Sequence, residues 1–175
     1  MVASTPPPPD ASGLRRWFVA GAIIEESGRV LMVENVRRNG TTDWSTPGGV
    51  IEHGEEATAG LAREVVEETG LIVDEFVGPL YSVEAIAADM GWHMTVQVYR
   101  AVSWRGHVSV GDDPDGIVVN ARFLDHDDAA VHLATNARWV REPIMEWLHH
   151  RWSDHRAFRY ELIGADRATL VVNRQ

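Results

Sequence analysis

The sequence predicts an α/β fold in which several strands are combined with two helices. Short runs of apolar or alternating residues recur along most of the 175-residue chain, and such runs predict strands. Two longer segments, one in the middle of the chain and one near its end, carry apolar residues at helical spacing. Strands mixed with two helices favour an α/β sandwich, a fold class that by itself does not identify a function.

The N-terminal third begins with a proline-rich segment that precedes a predicted hairpin. Residues 1–14 contain four consecutive prolines and small polar residues, which predict an extended or disordered tail. Residues 17–24 are mostly apolar and predict a buried strand, and residues 29–33 predict the second arm of a hairpin after a short turn. Residues 37–43 are polar and contain glycine, so they predict a loop.

The middle of the chain predicts one helix followed by two strands. Residues 57–69 have helical composition, with apolar residues on one side and most acids on the other. Gly70 is placed to end this helix as the glycine just after its last turn. Residues 71–83 predict an extended segment interrupted at Gly78-Pro79, and residues 94–102 alternate as a strand does.

The C-terminal third predicts a loop, a strand, a helix and a hairpin. Residues 111–116 form an acidic loop before a strand at residues 117–124. The predicted helix has one apolar face between residues 140 and 148, with Pro143 either near its start or at a kink. Apolar runs at both ends of a Gly-containing turn predict a terminal hairpin, which we expect to cover a sheet edge or to mediate a homodimer.

Composition and charge exclude several classes of function. The chain has no cysteine, so disulfides and thiolate metal sites are excluded. No segment approaches the ~20 consecutive apolar residues of a membrane span, and the first residues lack a secretory signal pattern, so we expect a cytoplasmic protein without a membrane partner. The formal net charge of −10 disfavours a nucleic acid polymer as partner, and a phosphorylated substrate would need local arginines or a bound metal ion.

Three glutamates lie on one face of the predicted central helix. Glu64, Glu67 and Glu68 stand at positions i, i+3 and i+4, so their side chains are neighbours. Neighbouring carboxylates repel one another unless a positive group lies among them or they splay into water, and a solvated acidic face is the usual meaning of such a run. Magnesium prefers a few carboxylate oxygens together with substrate phosphates and waters. The cluster therefore predicts a platform for Mg²⁺, with Mn²⁺ as a substitute.

The segment before the helix strengthens this interpretation. Gly48 and Gly49 allow the backbone to approach a ligand or a metal ion closely. Arg63, next to the glutamates, can pair with an acid of the loop such as Glu55 or Glu52 and hold that loop on the helix.

These residues resemble the Nudix box at every defining position. The family pattern is Gly, five residues, Glu, seven residues, then Arg-Glu-aliphatic-any-Glu-Glu-any-Gly-aliphatic. The matching residues here are Gly49, Glu55, Arg63, Glu64, Val65, Glu67, Glu68, Gly70 and Leu71. A match at nine specified positions over 23 residues makes chance agreement remote.

The resemblance implies both a fold and a reaction. The fold is an α/β/α sandwich with a mixed sheet and a loop–helix–loop catalytic motif, which we place at residues 15–152 and follow with a C-terminal extension at residues 153–175. The reaction is hydrolysis of the diphosphate linkage in a nucleoside diphosphate derivative, namely a nucleoside triphosphate, a nucleotide sugar or a dinucleotide. A metal-activated water would attack phosphorus, and a carboxylate would take up its proton.

The resemblance also implies roles for individual residues. Glu67 and Glu68 would be the principal metal ligands, Glu64 a further ligand or part of the base, and the Gly49 carbonyl another ligand. Glu55 and Arg63 would be the structural pair of the catalytic motif. The general base would be one of four acids, Glu64, Glu67, Asp113 or Asp115.

Substrate contacts and alternative functions depend on weaker signals. Arg37 and Arg38 are candidates for contacting the substrate, the alternative being an exposed basic loop, and Trp44 is a candidate for stacking on a base, the alternative being core packing. A Nudix-fold domain that binds a nucleotide without cutting it is the main alternative function, but such domains are expected to lose box acids that are all present here. The family's isomerase chemistry uses a cysteine, which this chain lacks.

Overall fold

A computed structural model of the chain describes residues 7–37, 40–110, 116–166 and 169–175. Within these residues the chain forms ten strands and three α-helices. The strands are β1 (Arg15–Ile23), β2 (Glu25–Glu26), β3 (Arg29–Val36), β4 (Thr42–Ser45), β5 (Gly48–Val50), β6 (Ile72–Ala87), β7 (Trp92–Arg105), β8 (Val118–Leu124), β9 (Arg156–Ile163) and β10 (Val171–Arg174). The helices are α1 (Ala57–Thr69), α2 (His126–His132) and α3 (Arg138–His150).

The strands form two sheets. The larger sheet has six strands in the order β10-β9-β6-β7-β1-β5, in which β1 runs parallel to β7 and β9 runs parallel to β6. In the smaller sheet, β3 pairs with β2, β4 and β8. The larger sheet is therefore mixed, as predicted.

The predicted hairpin between residues 17–24 and 29–33 forms only in part. The hairpin partner of β3 is the two-residue strand β2, and Leu31 donates one further backbone hydrogen bond to Ile24. The strand β1 instead lies between β7 and β5 in the larger sheet. Ala20, Ala22 and Ile23 have no exposed surface, so β1 needs neighbours on both edges and cover on both faces.

Helix α1 packs on one face of the larger sheet. Its residues Leu61 and Val65 are fully buried in a cluster that includes Ala20 and Ala22 of β1 and Leu31 of β3. The cluster forms because every third or fourth residue of α1 is apolar and faces the sheet. Helix α1 therefore covers the side of β1 and β3 on which Ala20, Ala22 and Leu31 lie.

The bounds of α1 are those that the sequence predicts. The helix begins after Glu56, whose carboxylate accepts a hydrogen bond from the Ala59 N–H at 2.9 Å. It ends at Gly70, which adopts a left-handed conformation with φ of 70° and donates its N–H to the Val66 carbonyl. Both ends are thus set by local signals.

Helices α2 and α3 cover the opposite face of the sheet. Ile144, Trp147 and Leu148 of α3 are buried in a second cluster that includes Tyr81 of β6 and Tyr160 of β9. One helix layer therefore lies on each side of the strands, which confirms the predicted α/β/α sandwich. No helix in the described parts of the chain is long and apolar enough to cross a membrane.

The helices on this face differ from the prediction in two ways. Helix α2 was not predicted; it is short and mostly polar, and it begins where the Asp125 carboxylate accepts the Asp128 N–H at 2.9 Å. Helix α3 is longer than the predicted apolar face at residues 140–148, since it runs from Arg138 to His150, and Pro143 lies in its second turn, near its start.

The C-terminal hairpin extends the larger sheet. Strand β9 pairs in parallel with β6, and β10 pairs with β9 in antiparallel register, so the hairpin covers an edge of β6. Tyr160 is fully buried and donates its hydroxyl to Glu142 of α3 at 3.0 Å, and Arg138 donates to the Val172 carbonyl at 2.7 Å. The boundary at residues 152–153 and the expected dimer stay predictions.

The predicted N-terminal tail is described in part. Residues 1–6 lie outside the described residues, whereas residues 7–14 are described. In that segment, Asp10 accepts hydrogen bonds from Ser12 and forms an ion pair with Arg16 of β1.

Candidate functional site

Two of the three box glutamates of α1, Glu64 and Glu68, lie against β5. The Glu68 side chain is buried, and its carboxylate accepts a hydrogen bond from the Gly48 N–H at 2.8 Å. The side chains of Glu64 and Glu67 are partly exposed, at 18% and 29%. Strand β5 is the last strand of the larger sheet, so the cluster lies at a sheet edge, where a ligand can reach it.

Gly49 lets the Glu64 carboxylate lie directly against β5. A Cβ atom at position 49 would lie 2.5 Å from both Cδ and Oε2 of Glu64, closer than real Cβ contacts come. Glycine is therefore required here by the close approach of a carboxylate to the backbone. Because the Glu64 carboxylate lies next to the backbone of Gly49, its oxygens and the Gly49 carbonyl could bind the same ion.

Gly48 is required for a different reason. Its φ of 142° is a conformation that other residues rarely adopt. A Cβ atom at this position would also meet the backbone of β1, 2.8 Å from the Gly21 Cα and closer still to the Ala20 carbonyl oxygen. Gly48 therefore holds β5 against β1 and so fixes the N–H that binds Glu68.

Arg63 joins the loop before α1 to the glutamate cluster. Its guanidinium donates to Glu64 at 2.8 Å and to Glu67 at 3.3 Å. The same guanidinium pairs with Glu55 at 3.4 Å, and Glu55 also accepts the Glu52 N–H at 3.2 Å. The pairing of Glu55 with Arg63 that the sequence predicts is present, whereas the contacts of Arg63 with Glu64 and Glu67 were not foreseen.

The ionisation of this pair follows from the same contacts. The hydrogen bond from Arg63 and the bond from the Glu52 N–H lower the pKa of Glu55. Burial by itself would lower the pKa of Arg63, but the hydrogen bond with Glu55 and the charge of Glu64 outweigh it, so the pKa of Arg63 is raised. Glu55 and Arg63 therefore remain a charged pair across the neutral range.

The donor set fits a hard divalent cation. Glu55, Glu64, Glu67 and Glu68 supply four carboxylates and Arg63 a single guanidinium, so the site carries excess negative charge, and all its candidate ligands are oxygen atoms. Within the described residues, no three acidic or histidine side chains converge closely enough to enclose an ion. Arg63 holds the carboxylates of Glu64 and Glu67, and the Gly48 N–H holds that of Glu68.

Four further candidate residues lie outside the described ranges or at the end of one. Arg37 follows β3, and its guanidinium pairs with Asp43 of β4 at 2.6 and 2.7 Å. Arg38 and the two candidate bases of the acidic loop, Asp113 and Asp115, lie outside the described residues. The roles of all four residues therefore stay predictions.

Trp44 lies in the core on the α3 side of the sheet. Its side chain is buried, and its ring packs 4.5 Å from the His132 ring and 5.1 Å from the Arg122 guanidinium. The Asn136 amide donates to the Trp44 carbonyl. Core packing, the alternative weighed for this residue, describes its position here, and a contact between Trp44 and the substrate stays a prediction.

The sequence of this chain is similar to those of known proteins. The NUDIX domain family model matches residues 14–148. The chain is 44% identical over 78 residues to a MutT-like protein of Streptomyces ambofaciens, a match that covers 43% of this chain and 45% of that protein. It is 26% identical over 111 residues to the 8-oxo-dGDP phosphatase NUDT18 of Mus musculus, covering 63% of this chain and 29% of that protein. The chain thus spans less than half the length of these relatives.

Solved structures share the same fold. The MutT NUDIX hydrolase from Burkholderia pseudomallei is 27% identical with a TM-score of 0.56, covering 65% of this chain and 86% of that chain. The E. coli ORF135 protein is 18% identical with a TM-score of 0.65, covering 83% of this chain and 99% of that chain. These similarities agree with the mixed sheet and the helix layers described above.

Proposed function

The chain belongs to the Nudix family, and on that basis we propose that it is a Mg²⁺-dependent pyrophosphohydrolase that cuts the diphosphate linkage of a nucleoside diphosphate derivative. The candidate substrates are a nucleoside triphosphate, a nucleotide sugar and a dinucleotide. The mouse relative is named for 8-oxo-dGDP, a nucleotide, which agrees with this substrate class.

The observation that carries the proposal is the packing of two glutamates of one helix face, Glu64 and Glu68, against the two glycines of β5, with Glu67 beside them on the same face. Glu64 occupies the space that a side chain at Gly49 would fill, and the Gly48 N–H holds Glu68. The ion would be held by the carboxylate oxygens of Glu64, Glu67 and Glu68 and by the carbonyl oxygen of Gly49. When bound, Mg²⁺ or Mn²⁺ neutralises diphosphate oxygens and lowers the pKa of a water.

The residues of the chain itself would position the substrate and move the proton. Arg63 holds Glu64 and Glu67 side by side and ties the loop to α1 through Glu55, so the carboxylates keep their relative positions. A carboxylate would take the proton from the attacking water as general base. The candidates for this role remain Glu64, Glu67, Asp113 and Asp115.

The remaining expectations belong to the same proposal. Arg37 would contact a substrate phosphate by exchanging its bond with Asp43, and Arg38 and Trp44 stay candidates for substrate contact. The partner would be a small nucleotide rather than a nucleic acid polymer, because the net charge is −10. We further propose a cytoplasmic location and a homodimer.

A substrate panel tests the proposal. The full chain is incubated with Mg²⁺ and each candidate substrate, the products are identified, and Glu67→Gln and Glu68→Gln are assayed beside the wild type. We expect turnover to fall about 100-fold or more in each variant, since each loses a charge that is needed at the metal. Glu56→Gln is the matched control, because Glu56 caps the same helix through bonds to Thr58 and Ala59, outside the cluster.

Two outcomes would contradict the proposal. Near-normal turnover in both glutamine variants would remove the metal assignment. Tight binding of a nucleotide with Mg²⁺, but without products from any member of the panel, would favour the alternative function, a binding domain that does not cut. Thermal unfolding of each variant separates a loss of activity from a loss of fold.

A further inference from the structure

A cleft separate from the glutamate cluster lies on the sheet face opposite α1, at the C-terminal end of α3. Its volume is about 540 Å³, which is within the range of small-molecule pockets. Arg100 of β7, Arg151 at the end of α3 and Glu25 of β2 provide its charged groups. Leu80 and Trp147, which belong to the core under α3, form part of its apolar wall.

The charged groups of this cleft leave it positive. Arg100 lies 3.2 Å from one carboxylate oxygen of Glu25, and Arg151 contacts the other. One carboxylate cannot neutralise two guanidiniums, so the cleft is cationic in a chain whose net charge is −10. A local positive site on an acidic surface attracts a small anion against the field of the whole protein.

The two arginines differ in how firmly they are held. Arg151 stacks on the Trp147 ring at 4.5 Å and donates to the carbonyls of Leu148 and Gly28 at 3.1 and 3.3 Å. Arg100 is 52% exposed, and within the described residues its two terminal amino groups have no hydrogen-bond partner. Its guanidinium can therefore bind an incoming phosphate with two donors while Arg151 supplies the second charge.

The apolar wall defines the rest of the ligand. Val77, Leu80 and Trp152 line the cleft beside the arginines; Val77 is 42% exposed and provides most of the open apolar surface, whereas Leu80 and Trp152 are 6% and 7% exposed. Such a wall gains free energy by covering a flat apolar or aromatic group. We propose that this cleft binds a small phosphomonoester with an aromatic body, of the nucleoside 5′-monophosphate class, at a site separate from the glutamate cluster.

The separation from the glutamate cluster follows from strand register. Gly49 pairs with Ala20 of β1, which lies in the core under α1. Arg100 pairs with Ile23, whose side chain lies in the core on the opposite face, together with Leu80 and Trp147. A ligand in the cleft therefore does not touch α1.

Isothermal titration of the full chain tests this site. The titrations use adenosine 5′-monophosphate, inorganic phosphate and adenosine, with a chelator present so that no divalent ion supports binding at the glutamates. We expect the monophosphate to bind about tenfold or more tightly than either part alone, because only it uses both the guanidiniums and the apolar wall. Added salt should weaken its binding.

Substitutions of the charged groups should move the affinity in opposite directions. Arg100→Gln should weaken monophosphate binding about tenfold, and Glu25→Gln should strengthen it by removing the competing carboxylate. Arg100→Lys, which keeps the charge but loses the planar fork, should lie between wild type and Arg100→Gln. Arg29→Gln is the matched control, since Arg29 pairs with Glu26 on the same hairpin outside the cleft lining.

Three results would overturn the proposal. The first is no binding of the monophosphate at millimolar concentrations. The second is an unchanged affinity in both Arg100 variants, which would leave Glu25 and the arginines as a purely structural link. The third is loss of binding in Glu67→Gln, which would place the ligand at the glutamate cluster. These titrations measure binding and not turnover, so the proposed cleft site can be refuted while the proposed hydrolase activity stands.

Discussion

Gly49→Ala places a methyl group against the glutamate cluster. The new Cβ would lie 2.5 Å from the Glu64 carboxylate, which is the far end of a flexible side chain and can swing away. A glutamate forced off its rotamer loses about 0.5–1.5 kcal/mol, whereas alanine in place of an unstrained glycine contributes about 0.4–1 kcal/mol through the unfolded state. Gly49 does not adopt a left-handed conformation. We therefore expect the free energy of unfolding to stay within about 1 kcal/mol of wild type.

Turnover should respond very differently from stability. The displaced Glu64 carboxylate no longer lies beside the Gly49 carbonyl, so the proposed ligand set is disrupted. A misplacement of about 1 Å at a reacting site can lower the rate about 100-fold, and we expect a loss of that order. The change should appear in kcat at saturating substrate and Mg²⁺.

Gly48→Ala is the comparison that separates fold from chemistry. Its Cβ would meet backbone atoms of β1, 2.8 Å from the Gly21 Cα, and the φ of 142° is unfavourable for alanine. Backbone strain of about 1–3 kcal/mol and overpacking of about 1–3 kcal/mol predict a total loss of about 2–6 kcal/mol. A loss of this size is a large fraction of a typical domain's stability.

Urea unfolding followed by tryptophan fluorescence measures both stabilities, because the chain has seven tryptophans. Turnover is measured with the substrate that the panel identifies. Wild-type turnover in Gly49→Ala would refute the reasoning that Glu64 must lie against β5. Equal stability of the two variants would refute the steric account of Gly48.

Two further predictions concern tyrosines of the core on the α3 side. Burial raises the pKa of Tyr81 above its unfolded value near 10. The contribution of Tyr81 to the free energy of unfolding is therefore complete below pH 10 and is lost as the pH rises towards the folded pKa. Urea unfolding at neutral and strongly alkaline pH should show that the free energy of unfolding falls less in Tyr81→Phe than in the wild type. Tyr160→Phe removes the 3.0 Å hydrogen bond to Glu142 and should lower the free energy of unfolding by about 1 kcal/mol, since Glu142 keeps its bond to Arg138; an unchanged urea midpoint would contradict this.

The parts of the fold that were predicted from sequence depend on local signals. Helix α1 has a capping acid at Glu56, an apolar stripe and a terminal glycine at Gly70, all within one short segment. The terminal hairpin likewise has its turn and both arms in consecutive residues. Each of these elements can be recognised without knowing what packs against it.

The parts that were missed depend on residues distant in sequence. Arg16 of β1 pairs with His93 of β7 in parallel register, and no pattern within β1 indicates a partner so far along the chain. Helix α2 has a polar surface and buries mainly Ala129, so its apolar period is too weak to detect. The position of Arg37 likewise depends on Asp43, a residue of the facing strand.

The candidate site shows the same division. Helical spacing predicted that Glu64, Glu67 and Glu68 share a face. The same spacing could have predicted the ion pair of Arg63 with Glu67, because these residues stand at i and i+4. The contact of Glu68 with the Gly48 N–H could not be predicted from spacing, because it requires β5 to pair with β1 as the last strand of the sheet. That pairing places the short glycine segment against Glu64 and Glu68. Since β5 is an edge strand, the proposed diphosphate substrate would approach the cluster from outside the sheet, without opening the core beneath α1.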